Sequence, residues 1–456
     1  MPTISHKIAE FAVNLNYEDL PEEVVFQVKR FLLDSIGCAF GGWDTEDVQI
    51  QHQLLQKVGG RPESSVLVSG VKLPMKHATL LNSLLIRALD YNDIYWEEDP
   101  SHPSDIIPAA LSPAEALRKS GKDVITAITL AYEFEQRMCE FAHPGIRERK
   151  WHHATLTGFV SPIVAGKILD LNVEQMVNAI GISGSHCCTL GAVTAGKLTN
   201  MKNTVDPMAV EAGVYAAQLA QLGYTGPEHV VDGKEGLVDT LGPEFELDIL
   251  TTDLGSDWRI LKCSMKAYAA EALTHSPITA VLKIVKEKQL KPEDISLILV
   301  KTVARAADIL SDPSKYKPTS KETADHSLPY CLAVAVVDGI VTPTQFKEEK
   351  LKDPRIWQLL PQIKVVAEPE FEKLFPKLKV TEVTITTISG DKYTLRIDYP
   401  KGDYRDPMSE SELLDKFDSM VLEKAGKEHR DRMVDLIMNL EKIQNVQEFM
   451  EWMVMK

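Results

Sequence analysis

Apolar residues in the first part of the chain recur at helical spacing. After Ser5, which is placed to cap a turn, Ile8, Phe11, Ala12 and Leu15 share one face. Leu20-Pro21-Glu22-Glu23 then opens a second run through Val25, Val28, Leu32 and Ile36 to Gly41-Gly42. Both read as helices with a core-facing stripe. From Met75 to Leu89 small and apolar residues occur nearly all round, which predicts a buried helix that delivers its end, Asp90 onward, into the interior. The same period continues over Ala109 to Arg118, Val124 to Cys139, Thr155 to Leu169, Val173 to Ser185 and Ala209 to Leu222, with short Gly, Pro or Asn punctuation between them. Roughly the first 260 residues read as all-helical.

The period changes near Trp258. One more helix is expected from Glu271 to Glu287, followed by the β-branched run Ile295 to Val303. Val380 to Thr387 and Tyr393 to Ile397 alternate around Ser389-Gly390-Asp391 like a hairpin, and Pro329 to Asp338 reads as a helix ended by Gly339. From Ser409 the helical period returns, with Leu413, Phe417, Val421 and Leu422, then Met433, Ile437 and Leu440. The expected fold is mainly α: a large helical domain of residues 1–262, completed by 405–456, and a smaller α+β domain of residues 263–404.

Composition narrows the functional classes. With 456 residues, 44% hydrophobic and 25% charged, the chain can bury a large core. A net charge of −16 argues against nucleic acid or an anionic membrane as partner, since both need a basic face, so an anionic ligand must find a local basic pocket. No apolar stretch reaches the length of a membrane span, and the N-terminus has no signal-peptide core. The six cysteines include no C-x-x-C pair, which suggests neither zinc nor an iron–sulfur cluster and points to a reduced, cytoplasmic protein.

The chemistry concentrates between Arg87 and Ile107. Six acids (Asp90, Asp93, Glu97, Glu98, Asp99, Asp105) face Arg87, and His102 lies between Pro100 and Pro103. The plain reading is a solvated acidic turn. Pro100, Pro103 and Pro108 instead stiffen the segment, and a rigid loop can hold a histidine and a carboxylate in fixed relation, with shifted pKa values that suit proton transfer. Four other stretches carry polar groups at helix ends. Arg147 to Thr155 holds His152 and His153, whose plain reading is a helix cap; Lys197 to Asp206 holds Lys202; Arg259 to Tyr268 holds Lys262 and Lys266; and an Asp325-His326 pair precedes Tyr330. Together they describe carboxylates and histidines able to move a proton and lysines able to hold anionic oxygens, with no phosphate loop or metal-ligand spacing. Such a set suits proton abstraction beside a carboxylate and loss of a β-hydroxyl. A non-catalytic carboxylate binder would need the lysines but not the Asp, the two histidines and the rigid loop.

The segments LDYNDIYWEEDPSHPSD, WHHATLTG, the MKN run before AVEAGVYAAQLAQLGYTGP, SMKAYAAEA and TADHSLPYCLAVAVVDG resemble, in order and spacing, the MmgE/PrpD family over nearly the whole chain. That family includes 2-methylcitrate dehydratases, cis-aconitate decarboxylases and an iminodisuccinate epimerase. The resemblance implies a small di- or tricarboxylate substrate, no metal or organic cofactor, a homodimer, and a site in the cleft between a helical and an α+β domain. The HPSD form at His102 to Asp105 and the TADHSLPY form at Thr323 to Tyr330 resemble the 2-methylcitrate dehydratase branch, which implies a place in propionate catabolism. It also implies Asp90, His102, His153 and Lys266 as catalytic residues, and Asp93, Ser104, Asp105, Lys202, His326 and Tyr330 as substrate contacts. One departure bears on the substrate: Leu273 stands where dehydratase-like members carry a histidine, and His275 follows two residues on.

Overall fold

Thr3, not Ser5, caps the first helix. Its Oγ1 accepts the His6 N–H at 3.1 Å, and the helix runs Ile4–Asn14, leaving Ser5 buried in its first turn. The structure, a computed structural model, describes residues 2–195 and 198–455. It divides into two compact units, Met1–Cys263 with Glu410–Lys456, and Ser264–Ser409. Helices dominate the first unit: Glu22–Gly42, Met75–Arg87, Ile107–Leu117, Gly121–Glu140, Ala154–Ile168, Val173–Gly184 and Met201–Gln221. The last of these starts eight residues before the expected Ala209; Lys202, Asn203, Thr204 and Asp206 interrupt the apolar period in its first two turns, although the last three are buried. The helix Glu46–Val58 is absent from the expectation; only Asp47, Val48 and Leu55 of it are buried, too thin a stripe to show as a period. The unit is not purely helical either. Ser64–Ser65 pairs with Lys72–Leu73, and Asp93–Trp96 pairs with Pro100–Ser101, both antiparallel.

Small residues let these helices approach closely. A Cβ at Gly213, on Met201–Gln221, would lie 2.1 Å from Ser161 Oγ on Ala154–Ile168, and Ser161 Oγ donates to the Ala209 carbonyl at 3.1 Å. The C-terminal helix Glu410–Ala425 comes back onto Glu22–Gly42 at Gly37, where a Cβ would meet the Phe417 ring at 2.9 Å. Beside this contact lies a fully buried ion pair, Lys416 Nζ to Asp34 Oδ1 at 2.6 Å. Lys416 also donates to the Tyr91 carbonyl at 2.7 Å, and its ammonium sits 4.1 Å from the Tyr91 ring centre. Burial pushes the Asp34 carboxyl up, and Lys416 opposes the shift. The C-terminal helix thereby grips the segment that carries Asp90.

In the second unit a four-stranded sheet has the order Ile363–Ala367, Ile295–Thr302, Thr381–Thr387, Lys392–Ile397. The first pair is parallel and the others antiparallel. Alternate residues of Thr381–Thr387 are buried, and the helix His275–Lys288 packs on this hairpin with Leu328–Asp338 beside it. That first helix starts at His275, not Glu271, because residues 272–274 form a tighter 3₁₀ turn capped by the Glu271 side chain. Gly339, at φ 71°, ends Leu328–Asp338. The strand Ile363–Ala367 was not expected; only its first residue is fully buried. Among the described residues no helix is long and apolar enough to cross a membrane.

Lys416→Met strands Asp34 as a buried, uncompensated acid, and we expect a loss of about 3–5 kcal/mol in stability, read from urea unfolding. The double variant Asp34→Asn, Lys416→Met should recover most of it. A loss near zero for the single variant would show that the pair does not anchor the C-terminal helix.

Candidate functional site

The acidic segment is buried, not solvated. Met75–Arg87 ends inside the first unit, and Asp90 turns the chain at φ 52°, a left-handed conformation that aspartate tolerates better than most residues. A short hairpin follows, and Pro103 opens a 3₁₀ turn that runs directly into Ile107–Leu117 with Pro108 in its first turn. Asp90, Asp93, Asp99 and Asp105 are all buried, and only Glu97 and Glu98 reach partly into solvent.

Arg87, itself 3% exposed, is the hub. Its guanidinium donates to Asp90 at 2.6 Å and lies 3.5 Å from Asp105. Burial alone would favour loss of its proton, but Asp90, Asp105 and Asp206 outweigh that and hold the guanidinium pKa above its ordinary value. The second Asp90 oxygen faces Lys202 Nζ at 3.1 Å. Lys202 is placed there by the first turn of Met201–Gln221, where the neighbouring Asn203 amide reaches Asp47 at 3.0 Å and the Ala88 carbonyl at 3.4 Å. Lys197, the start of that polar stretch, lies outside the described residues.

Asp93 and Asp105 are joined through Asn92 and Ser104. Asn92 Nδ2 donates to Ser104 Oγ and to Asp105 Oδ1, each at 2.9 Å, while Ser104 gives its hydroxyl and its N–H to Asp93 at 2.6 and 3.0 Å. Burial pushes Asp93 up to about 7, against the pull of the Ser104 hydroxyl, and raises Asp105 well above its usual range despite Arg87. Asp99 serves a different end: it accepts the Ile146 and Arg147 N–H groups at 2.7 and 2.9 Å and so ties down the turn before the paired histidines.

His102 Nδ1 meets the Asp93 carbonyl at 2.6 Å, so that nitrogen carries the proton and Nε2 is the basic one in the neutral ring. The His102 and His153 rings lie 5.8 Å apart between centres, and the His152 ring lies 4.0 Å from that of His153, tilted by 33°. His153 precedes Ala154–Ile168 but makes no capping bond; its Nε2 lies 3.3 Å from Asp206 Oδ2. His152 does cap in part, through Nδ1 and the Ala154 N–H at 3.2 Å, and burial followed by the neighbouring His153 keeps it neutral. Burial would raise Asp206, yet His153, His152 and Arg87 together hold it far below the carboxylate range, so it is ionised.

Glu135, not expected from the sequence, belongs to the same cluster. One of its oxygens accepts the Ser101 hydroxyl and the Thr157 hydroxyl, the latter at 2.8 Å, and Thr157 also lies 3.4 Å from Asp206. Its other oxygen is buried with no hydrogen-bond partner among the described residues. Burial pushes Glu135 up to about 8, so it is mostly protonated at neutral pH. Its signal in the sequence was weak: within EFEQRMCE it reads as one more charge on a helix face, and only its spacing on the buried side of Gly121–Glu140 marks it out.

Three expected site residues lie in the second unit. Lys266 is 2% exposed. His326 pairs through Nδ1 with Asp325 at 2.6 Å, and Lys321 lies 3.0 Å from the same carboxylate. Tyr330 is fully buried with Phe346 beside it and donates its hydroxyl to the Gln345 carbonyl at 2.9 Å, an arrangement that accounts for the phenol as part of that unit's core.

Donor atoms of His152, His153 and Asp206 all lie within 4.8 Å of one another, a grouping that sequence spacing did not reveal and that could hold a metal ion. The His153–Asp206 attraction produces the same approach without one, and the nearby Arg87 charge, which acts on both Asp206 and His152, opposes a cation. Towards solvent, His152 and His153 open on a cavity of about 380 Å³ bounded also by Arg147, Lys150, Trp151, Gly191, Ala192, Thr194 and Ala195, within the range of small-ligand pockets.

Two family domains are found along the chain. The MmgE/PrpD N-terminal domain matches residues 6–250 and the MmgE/PrpD C-terminal domain matches residues 268–442. Among curated relatives, a cis-aconitate decarboxylase of Aspergillus terreus is 26% identical, covering 98% of this chain and 95% of its own length. The Homo sapiens cis-aconitate decarboxylase is 25% identical over 98% of this chain and 93% of its own. A 2-methylcitrate dehydratase of Escherichia coli is 22% identical over 88% and 87%. With both domains matched over most of its length, the chain belongs to the MmgE/PrpD family.

Proposed function

We propose that the protein is a lyase acting on a small di- or tricarboxylate by acid–base chemistry of its own side chains, without a cofactor. The observation that carries this reading is the pair of imidazoles 5.8 Å apart in one buried cluster, His102 with its Nδ1 committed to a carbonyl and His153 backed by the ionised Asp206. His102 Nε2 takes the proton from the carbon beside a carboxylate. The electron pair moves onto that carboxylate as an aci-carboxylate, and His153 gives its proton to the leaving β-hydroxyl, which departs as water. Asp90, held between Arg87 and Lys202, is better suited to fix those two cations near the substrate than to carry protons.

In this reading the substrate is 2-methylcitrate and the product 2-methyl-cis-aconitate, as the HPSD and TADHSLPY segments suggest. A second reading is favoured by a specific finding: the cis-aconitate decarboxylases match more of this chain than the dehydratases do. Decarboxylation would use the same imidazoles, with carbon dioxide leaving in place of the abstracted proton, its C–C electron pair staying on the substrate and being taken up by a proton that an imidazole delivers to carbon. We read the assembly as a homodimer, supported by Met201, Met208, Tyr215 and Leu222, which stand seven residues apart and are 41, 45, 47 and 85% exposed.

The deciding experiment incubates protein dialysed against a chelator with 2-methylcitrate, citrate, isocitrate and cis-aconitate. We expect an unsaturated product from 2-methylcitrate, or carbon dioxide from cis-aconitate under the second reading. No turnover of any of the four, or activity that returns only with added metal, would overturn the proposal.

His102→Asn should lower kcat by roughly 100- to 10,000-fold while substrate binding by calorimetry changes little, the usual span for a lost general base. Near wild-type turnover would remove His102 from the proton path.

Glu135 generates a pH prediction. Its folded pKa near 8 exceeds the unfolded value, so the folded state binds the extra proton between the two, and this group's contribution is full at low pH and lost as pH rises towards 8. Glu135→Gln removes that loss. Its stability relative to wild type, from urea midpoints, should therefore be greater at pH 8 than at pH 5; an equal difference at both would contradict the raised pKa.

A further inference from the structure

The cavity over His152 and His153 has a basic lining. In a chain of net charge −16, its ionisable lining among the described residues is Arg147, Lys150, His152 and His153, with no carboxylate. Arg147 is half-buried, with its guanidinium 6.0 Å from the Trp96 ring centre, and its backbone is pinned by Asp99. Lys150 stands at the rim in a left-handed conformation, φ 73°, that a residue with a side chain adopts only when its surroundings impose it. They do so here: the Lys150 N–H meets the Arg147 carbonyl at 3.0 Å, the Trp151 N–H meets the Ile146 carbonyl at 3.1 Å, and the Gly191 N–H holds the Lys150 carbonyl at 2.8 Å. Gly191 is required at that contact, since a Cβ would lie 2.8 Å from the same carbonyl oxygen. The turn is therefore stitched into one shape that keeps two cations on the cavity wall beside His153, the proton donor of the proposed chemistry.

We propose that Arg147 and Lys150 form an outer anion subsite that takes the carboxylate furthest from the reacting carbon, and so decide between tri- and dicarboxylates. The inference rests on the lyase reading above and adds what that reading leaves open, the selection of substrate by its number of carboxylates. A substrate whose departing group is at His153 extends its remaining arm into the cavity, where Arg147 and Lys150 are the lining cations, beside Trp151 and Thr194. Arg147 offers a planar fork matched to a carboxylate, and Lys150 supplies a second charge at the mouth. A dicarboxylate lacking that arm gains nothing from either residue. These contacts are equal in ground and transition states, so they act on binding, not on the chemical step.

The test compares Arg147→Gln and Lys150→Asn with wild type, asparagine being chosen because it accepts the left-handed backbone. Binding of citrate and of malate is measured by calorimetry, with KM and kcat on whichever acid wild type turns over. We expect each variant to weaken citrate roughly tenfold, the scale of one charge-assisted contact, while malate binding stays within about twofold and kcat is preserved. Equal weakening of both acids, or no change in either, overturns the subsite while leaving the lyase reading intact. Failure of wild type to bind or turn over any of these acids overturns both. Loss of fold in one variant, read by circular dichroism, leaves the other to decide.

Discussion

A guanidinium at 3% exposure sets the terms for the first unit. Arg87 cannot shed its proton and cannot be left alone in the interior, so the chain must bring carboxylates to it. Asp90 comes from the next turn of the same segment, Asp105 from beyond the hairpin, and Asp206 acts on it from Met201–Gln221. Each counter-ion fixes a different element. The left-handed turn at Asp90, the hairpin, the 3₁₀ turn after His102 and the first turn that carries Lys202 are all consistent with gathering charge around one side chain.

Once so many acids are buried together, they cannot all be ionised. The cluster resolves the conflict by sorting them. Asp206 keeps its charge because His153 and Arg87 face it, whereas burial pushes Asp93 to about 7 and Glu135 to about 8. The result is a mixed store of protons and charges next to two imidazoles, which is what an enzyme needs if it is to remove a proton and return one elsewhere near neutral pH. The basic cavity completes the arrangement: the acids of the cluster are buried and none lines the cavity, so an anionic ligand approaching from solvent meets cations first.

The same inventory explains why dehydratases and decarboxylases can share one family. Both reactions build and then discharge negative charge beside a carboxylate, and differ in which group leaves. The acid–base machinery need not change between them; the fit of the substrate arms must. On the proposed reading, discrimination falls to walls such as the Arg147 to Lys150 turn more than to the histidines.

Much of the architecture was written in periodicity. The buried Met75–Arg87 helix, the hairpin strands Thr381–Thr387 and Lys392–Ile397, and the returning C-terminal helices follow from spacing alone, because a core-facing stripe must repeat with its element. What periodicity missed has little core face: Glu46–Val58 and the edge strand Ile363–Ala367 bury too few residues to register. The prolines and acids around His102 also announced a stiff polar segment, but their partners are remote in sequence. Nothing local says that Lys202 will sit 3.1 Å from Asp90, that His153 will face Asp206 and not cap its helix, or that Glu135 will join them through Thr157. Those relations depend on how helices cross, which is decided by glycines such as Gly213 and by packing that no single stretch contains. The sequence alone thus determined which side chains could do acid–base chemistry; only the tertiary structure decided which are charged, which are protonated and which face one another, because burial and neighbours, not residue type, set those states.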